Sequence, residues 1–245
     1  HIFYFAVAPR FFASIVAGLA RVEKACHGKV VLEKPFGENL TAAKALNEKM
    51  ENFFHPDNIY RIDHYLGKEM VRNIQTIRFA NPIFSGVWDA EHIECIQISA
   101  LEEVGVETRG GYYDHSGAMK DMVQNHLFQI LSIVAMEQPG ELMLAGEEMH
   151  REQIRVLSAL HTPEKIEESL VLGQYKGYRE ENAVAEDSMT ESYAALKVFL
   201  DNDRWKGMPF YIRTGKKLGH REMQVLVVFK PAAPQVQSNI LNIKI

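Results

Sequence analysis

The sequence has 245 residues, of which 47% are hydrophobic and 24% charged, a composition typical of a soluble globular protein with one large domain or two smaller ones. Its formal net charge of -5, from 27 basic and 32 acidic residues, has the wrong sign for a surface that follows a nucleic-acid backbone. The two cysteines lack metal-ligand spacing, and no apolar run is long enough for a membrane-spanning helix. We therefore expect a cytoplasmic protein without a metal site, a nucleic-acid partner or a membrane contact.

The first residues have the pattern of a β-α-β unit. The apolar run 2–8 predicts a buried strand, apolar residues then recur at helical spacing to about Cys26, and 29–33 predicts a second strand. Such a unit implies a parallel strand pair with a right-handed crossover. Because the first strand has no polar lead-in, and because 238–245 alternates like a strand without a closing element, we expect a fragment cut at both ends.

A second helix and a short extended segment follow. Asn39 or Thr41 can cap a helix that runs through Phe54, and 59–62 is extended. A third helix is predicted from Gly67. We interpret residues 1–60 as the remnant of a Rossmann-like parallel-sheet domain, an α/β fold.

From about residue 92 the pattern changes to longer strands placed around helices. Strands are predicted at 92–100, 192–200, 208–213, 223–229 and 239–245, and helices at 117–137 and 146–161. Consecutive strands of this kind favour an antiparallel sheet. We therefore assign 61–245 to an α+β domain with a large, mostly antiparallel sheet packed with helices, incomplete at its C-terminus.

The richest polar cluster is Arg61–Glu69, at the predicted start of a helix. Free N–H groups and the positive end of the helix dipole lie there, so Lys68 with His64 and Tyr65 could bind a phosphate dianion. The alternative is a solvated, charged helix start with incidental ion pairs.

The predicted long helix places His126 on its apolar face. A buried imidazole needs a polar partner, and a carboxylate such as Asp63 would orient it and stabilise its protonated form. The alternative is a core histidine bonded to a backbone carbonyl. At 100° per residue, Asp121 lies well round the helix from His126.

Three further segments carry polar groups near predicted strand ends. Lys34 follows the second strand, where open parallel sheets bind ligands, although the same residues could form a surface turn. Arg213–Leu218 is predicted as a basic loop after a strand, either ligand-binding or merely solvated. Arg109–Asp114 is interpreted as a structural loop, with Asp114 or Ser116 capping the long helix.

Five segments together carry a resemblance to a known family. They are Glu33–Gly37, Arg61–Glu69, Arg109–Asp114, Asp121–His126 and Arg213–Lys216. They occur in the order found in the glucose-6-phosphate dehydrogenase family, which this sequence resembles from its first residues to about residue 230.

The resemblance implies transfer of a hydride from C1 of glucose 6-phosphate to NADP, giving the 6-phosphogluconolactone that enters the pentose phosphate pathway. It implies that His126 takes the proton of the C1 hydroxyl while Asp63 pairs with the imidazolium. It assigns the phosphate group to His64, Tyr65 and Lys68. The residues that it assigns to the sugar, or to placing the sugar against the nicotinamide, are Lys34, Glu102, Asp121 and Lys216. Arg221 falls where the family has a further basic contact to the substrate, and Lys34 is also assigned to the cofactor.

The 245 residues contain no G-x-G-x-x-G turn, on which pyrophosphate binding in this family depends. We therefore expect the isolated chain to be inactive. The alternative is a free-standing sugar-phosphate-binding module without catalysis. For the full-length protein the resemblance implies a homodimer.

Overall fold

The computed structural model describes residues 1–34, 36–37, 39–62, 69–140 and 147–245, without the side chains of 70–72. The chain divides into two compact units, His1–Gly67 and Lys68–Ile245. The boundary predicted from the sequence lies somewhat earlier, near residue 60. Within the described ranges, no helix combines the length and the apolar character needed to cross a bilayer.

Three parallel strands and two helices form the first unit. Their bounds are β1 Ile2–Phe5, α1 Phe12–Leu19, β2 Lys29–Leu32, α2 Leu40–Glu51 and β3 Ile59–Arg61. The strands lie in the order β1-β2-β3 and both pairs are parallel, which confirms the predicted β-α-β unit. The side chain of Asn39 caps α2, because it accepts a hydrogen bond of 2.9 Å from the N–H of Ala42.

One face of this sheet carries the core of the unit. The core residues are Phe5, Phe12, Val16, Val30, Leu32, Met50 and Phe54. The prediction of a buried first strand is wrong for its other face, where Ile2 and Tyr4 are 70% and 52% exposed. Successive side chains of a strand point to opposite faces, and the helices pack on the face of Phe5. Helix α1 also ends at Leu19 rather than near Cys26, and turns followed by a short 3-10 helix, Ala25–His27, take its place before β2.

The second unit is built on a seven-stranded sheet. Its strands are β4 Ile93–Leu101, β5 Leu160–His161, β6 Leu170–Gly173, β7 Tyr193–Leu200, β8 Phe210–Gly215, β9 Glu222–Phe229 and β10 Ile240–Lys244. The order is β10-β9-β4-β8-β7-β5, with β6 also pairing with β7. All pairs are antiparallel except β4 with β8, so the predicted mostly antiparallel sheet is confirmed. The short strands β5 and β6 were not predicted.

The helices of this unit are α3 Glu69–Phe79, α4 Gly110–Ala118, a π-helix Met119–Leu127, α5 Phe128–Ala135 and α6 Glu147–Ser158. The prediction of one regular helix over 117–137 is therefore wrong. Three consecutive segments replace it, and the first begins at Gly110, inside the stretch predicted as a loop. The break lies at Gly117, whose φ of 64° and ψ of 178° are not helical. These values fall in a region that only glycine adopts readily.

Buried side chains from outside α5 satisfy the carbonyl groups at its C-terminal end. The guanidinium of Arg78 donates to the carbonyls of Ile133 and Met136, at 2.6 and 2.8 Å. The indole of Trp88 donates to the carbonyl of Val134 at 2.9 Å, and the indole of Trp205 donates to the carbonyl of Ala135 at 2.8 Å. A helix leaves its last carbonyls without intrahelical donors, so these contacts fix the far end of the long helical segment. Burial lowers the pKa of Arg78 to about 9, which leaves it cationic at neutral pH and suited to the negative end of the helix dipole.

Asp114 was predicted as a helix cap, but its side chain instead forms hydrogen bonds that join the segment 174–192 to α4. Its carboxylate accepts hydrogen bonds from the hydroxyls of Ser188 and Tyr178 and from the N–H of Ala185. Burial acts to raise the pKa of Asp114, but these hydrogen bonds outweigh it and hold the pKa below its usual range. Ser116 is not a cap either, because its hydroxyl donates back to carbonyls of its own helix.

We predict that Asp114→Asn lowers the melting temperature at pH 7 by about 2–4 °C, the shift that roughly 1 kcal/mol produces in a protein of this size. Because the folded-state pKa is depressed, the contribution is complete above the unfolded pKa of about 3.9 and is lost as the pH falls through the folded value. Thermal unfolding followed between pH 7 and pH 3 should therefore show the two curves converging in acid. Asp187→Asn, at an exposed carboxyl in the same segment, is the control and should show no such convergence. A constant difference at every pH would contradict the assignment.

Candidate active site

The π-helix brings two polar residues of one helical segment onto the same face. In a π-helix, residues five apart are joined by hydrogen bonds, and the N–H of Phe128 accordingly donates to the carbonyl of Val123. Asp121 and His126 are five apart and are both 8% exposed. The expectation that they lie well apart around the helix is wrong, because it assumed α-helical geometry.

His126 is buried as predicted, among apolar neighbours of its own helix. Met122, Val123, Leu127 and Ile130 are all less than 10% exposed. The π-helix packs against β4 and β8, so its polar residues lie in the unit that carries the large sheet. A neutral imidazole in such a setting has one nitrogen able to accept a proton, as a general base requires.

The parallel pairing of β4 with β8 brings a second polar pair together. Leu101 and Gly215 are partners at the ends of these strands, so the residues that follow them, Glu102 and Lys216, lie side by side and form an ion pair. The side chain of Lys216 is 10% exposed and that of Glu102 is 37% exposed. A mostly buried ammonium with a more open carboxylate beside it can donate to ligand oxygens while Glu102 balances its charge.

Two aromatic residues of α4 support these groups. The ammonium of Lys216 lies 5.3 Å from the ring centre of Tyr113, a cation–π distance. The hydroxyl of Tyr112 donates to the carboxylate of Asp121 at 3.3 Å, and the guanidinium of Arg109 lies 3.6 Å from the same oxygen. Burial, followed by the negative charge of Asp121, raises the pKa of both tyrosines, so both hydroxyls stay protonated.

The contacts of Arg109 and Tyr112 with Asp121, and of Tyr113 with Lys216, were not predicted. The sequence analysis interpreted 109–114 as a loop with a structural role only. Tyr112 precedes Asp121 by nine residues, which would put the two on opposite faces of a regular helix. They meet only because Gly117 breaks the helix between them. No spacing rule for regular helices reveals that contact.

The remaining predicted site residues are distributed as follows. Asp63, His64, Tyr65 and Lys68 lie outside the described residues. Lys34 is half-buried in the first unit, two positions after Leu32, the last residue of β2. Arg221 is exposed immediately before β9. The prediction of a basic loop that begins at Arg213 is wrong, because strand β8 continues to Gly215. Only the residues from Lys216 onward follow the strand.

Comparison with known proteins gives the family. The model of the glucose-6-phosphate dehydrogenase C-terminal domain matches residues 75–245, and that of the glucose-6-phosphate dehydrogenase NAD binding domain matches residues 1–73. Glucose-6-phosphate 1-dehydrogenase of Borreliella burgdorferi is 44% identical over 244 residues, which are 94% of this chain and 51% of the relative. The Bacillus subtilis protein of the same name is 45% identical over 243 residues, covering 93% of this chain and 49% of the relative.

A solved structure of glucose-6-phosphate dehydrogenase in complex with its substrate glucose-6-phosphate is also similar. It superposes with a TM-score of 0.90 at 34% identity and covers 99% of this chain and 52% of that one. The chain thus spans about half the length of the curated relatives it matches. Since the two family models together account for nearly every residue, this chain belongs to the glucose-6-phosphate dehydrogenase family.

Proposed function

We propose that the protein containing this chain oxidises glucose 6-phosphate to 6-phosphogluconolactone with NADP. The observation that carries the proposal is a polar set with three buried members, Asp121 and His126 on one π-helix and Lys216 at the end of β8, and with the partly exposed Glu102 at the adjoining end of β4. A sugar substrate offers several hydroxyls, for which a carboxylate, an ammonium and an imidazole are suitable partners. Membership of the family supports this choice of substrate.

The proposed chemistry at His126 is removal of a proton. Oxidation of the C1 hydroxyl breaks the C1–H and O–H bonds, so C1 loses a hydride and the oxygen loses a proton, leaving a lactone carbonyl. His126 takes that proton as a general base, and Asp63 pairs with the resulting imidazolium. The apolar surroundings of His126 keep water away from the imidazole. This favours transfer of a proton to His126 from the bound substrate over transfer of a proton from water.

The remaining polar residues bind and orient the substrate in this proposal. Lys216, steadied by Glu102 and the ring of Tyr113, donates to sugar oxygens, and Asp121 accepts from sugar hydroxyls. Arg221 adds a further basic contact. His64, Tyr65 and Lys68 are proposed for the phosphate group, where a helix start adds backbone donors.

NADP is proposed as the cofactor, and it supplies the hydride acceptor when bound. The first unit fits part of such a site, because its three parallel strands have the Rossmann pattern and Lys34 follows the carboxyl end of β2, where these sheets bind ligands. Lys34 is proposed to contact both sugar and cofactor. No glycine-rich pyrophosphate turn occurs in the 245 residues, so the fit covers only part of the cofactor. We further propose cytoplasmic localisation and a homodimer for the full-length protein.

Turnover tests this function against the alternative of a binding module without catalysis. The complete open reading frame should reduce NADP, seen as NADPH absorbance, with glucose 6-phosphate and not with glucose. Residues 1–245 alone should bind glucose 6-phosphate in calorimetry without turnover. Substrate binding without turnover by the complete reading frame would favour the binding module, and turnover by residues 1–245 alone would contradict the expected inactivity.

We predict that His126→Asn in the complete reading frame lowers kcat by about 10²–10⁴-fold, the usual contribution of a positioned general base. The KM for glucose 6-phosphate should change far less, because the imidazole acts on the reacting proton. His150→Asn, on the exposed side of α6, is the matched control and should keep the parental kcat. A His126→Asn variant with parental kcat would exclude His126 as the base.

We predict that Lys216→Met lowers kcat/KM for glucose 6-phosphate by about 10–100-fold, the loss expected when a hydrogen bond to a charged group is removed. Steady-state kinetics measure it. Lys217→Met is the control, because the neighbouring Lys217 is exposed and lies 3.7 Å from Glu181, away from Glu102. Equal effects of the two substitutions would show that general loss of positive charge, and not the Lys216 contact, is responsible.

A further inference from the structure

One residue from a distant part of the chain holds the start of the π-helix. The carboxylate of Glu191 accepts a hydrogen bond from the N–H of Met119 at 2.9 Å, although 72 positions separate the two residues. The backbone carbonyl of Glu191 accepts from the N–H of Ala118, also at 2.9 Å. The first N–H groups of a helix have no intrahelical acceptors, so Glu191 satisfies two successive donors at this helix start.

Gly117 is the residue that admits the Glu191 carboxylate. A Cβ atom added at Gly117 would lie 2.4 Å from Oε1 of Glu191 and 2.6 Å from its Cδ, closer than real Cβ contacts. The positive φ of Gly117 independently disfavours any side chain there. The helix break and the carboxylate contact therefore depend on the same glycine.

The next residue, Ser192, connects this contact to the lysine of the proposed site. The carbonyl of Ser192 accepts a hydrogen bond of 3.0 Å from the N–H of Lys216, and its own N–H donates to the carbonyl of Gly173 at 2.8 Å. Ser192 is fully buried. Glu191 and Ser192 thus tie the backbone of the π-helix and the backbone at Lys216 to one short segment before β7.

We propose that Glu191 is a positioning residue for the dehydrogenase reaction, an inference that rests on the function proposed above. It sets the start of the π-helix, so that Asp121 and His126 share one face, at a fixed distance from Lys216. It acts through backbone N–H groups and does not touch the substrate. Errors of about 1 Å in the placement of reacting groups can lower rates about 10²-fold, so this control of position matters for kcat.

The test compares three substitutions in the complete reading frame. Glu191→Ala removes the acceptor and should lower kcat by about 10–100-fold, with KM for NADP changed less than about threefold. Glu191→Gln keeps an acceptor oxygen and should restore kcat to within about threefold of the parent. Glu191→Asp withdraws the carboxylate by one methylene and should fall between them, which provides a milder variant if the alanine variant does not fold. Glu186→Ala, at an exposed glutamate of the same segment, is the control.

Two kinetic outcomes would overturn the proposal. One is an alanine variant, or an aspartate variant if alanine does not fold, whose kcat per folded molecule equals that of the parent, since a purely structural role changes only the folded fraction. The other is a glutamine variant as impaired as the alanine variant, since charge and not the acceptor oxygen would then be required.

Hydrogen exchange separates a failure of this inference from a failure of the proposed function. The amide proton of Met119, which donates to the Glu191 carboxylate, is followed by mass spectrometry of a peptide covering 115–128. It should exchange faster in the alanine and aspartate variants and at the parental rate in the glutamine variant. This readout needs no activity. Parental exchange rates in the alanine and aspartate variants would overturn the positioning role, whereas altered exchange in a protein without dehydrogenase activity would contradict only the proposed function.

Discussion

The hydrogen bonds between residues five apart along Met119–Leu127 are the constraint on which the proposed site depends. They put Asp121 and His126 on one face, which α-helical bonding would not do. A π-helix is rare and needs support from its surroundings. Here Gly117 and Glu191 fix its start, while side-chain donors to the carbonyls of α5 fix the far end of the same helical segment.

A single parallel strand pair in an otherwise antiparallel sheet supplies the other half of the site. If β4 and β8 were antiparallel, their C-terminal ends would lie at opposite ends of the strand pair. Parallel pairing puts both C-terminal ends together, so Glu102 and Lys216, which follow them, lie side by side. The π-helix packs against these two strands, so the backbone arrangement that creates the ion pair also determines where His126 lies. The large sheet is therefore the scaffold of the site as well as the core of the unit.

Much of the fold follows from hydrophobic periodicity, but the helix geometry at the site does not. Alternation predicts the strands β4 and β7 to β10, and the period of α2 together with its Asn39 cap predicts that helix. The π-helix was missed because apolar residues on one face fit a regular helix as well as a wider one. The carboxylate contact that holds its start joins residues 72 positions apart, which no local pattern encodes. The burial of His126 was nevertheless predicted from the sequence, because its position falls on the apolar face of the predicted helix. Lys216 was singled out only by the family resemblance, because a basic loop after a strand is equally typical of a solvated surface.

A crystal structure of the complete protein with glucose 6-phosphate bound would show whether the π-helix places Asp121 and His126 against one substrate. We expect residues 119–127 to keep hydrogen bonds between residues five apart, with Asp121 and His126 both in contact with the same sugar. A regular α-helix over these residues, with Asp121 turned away from the sugar that His126 contacts, would contradict it.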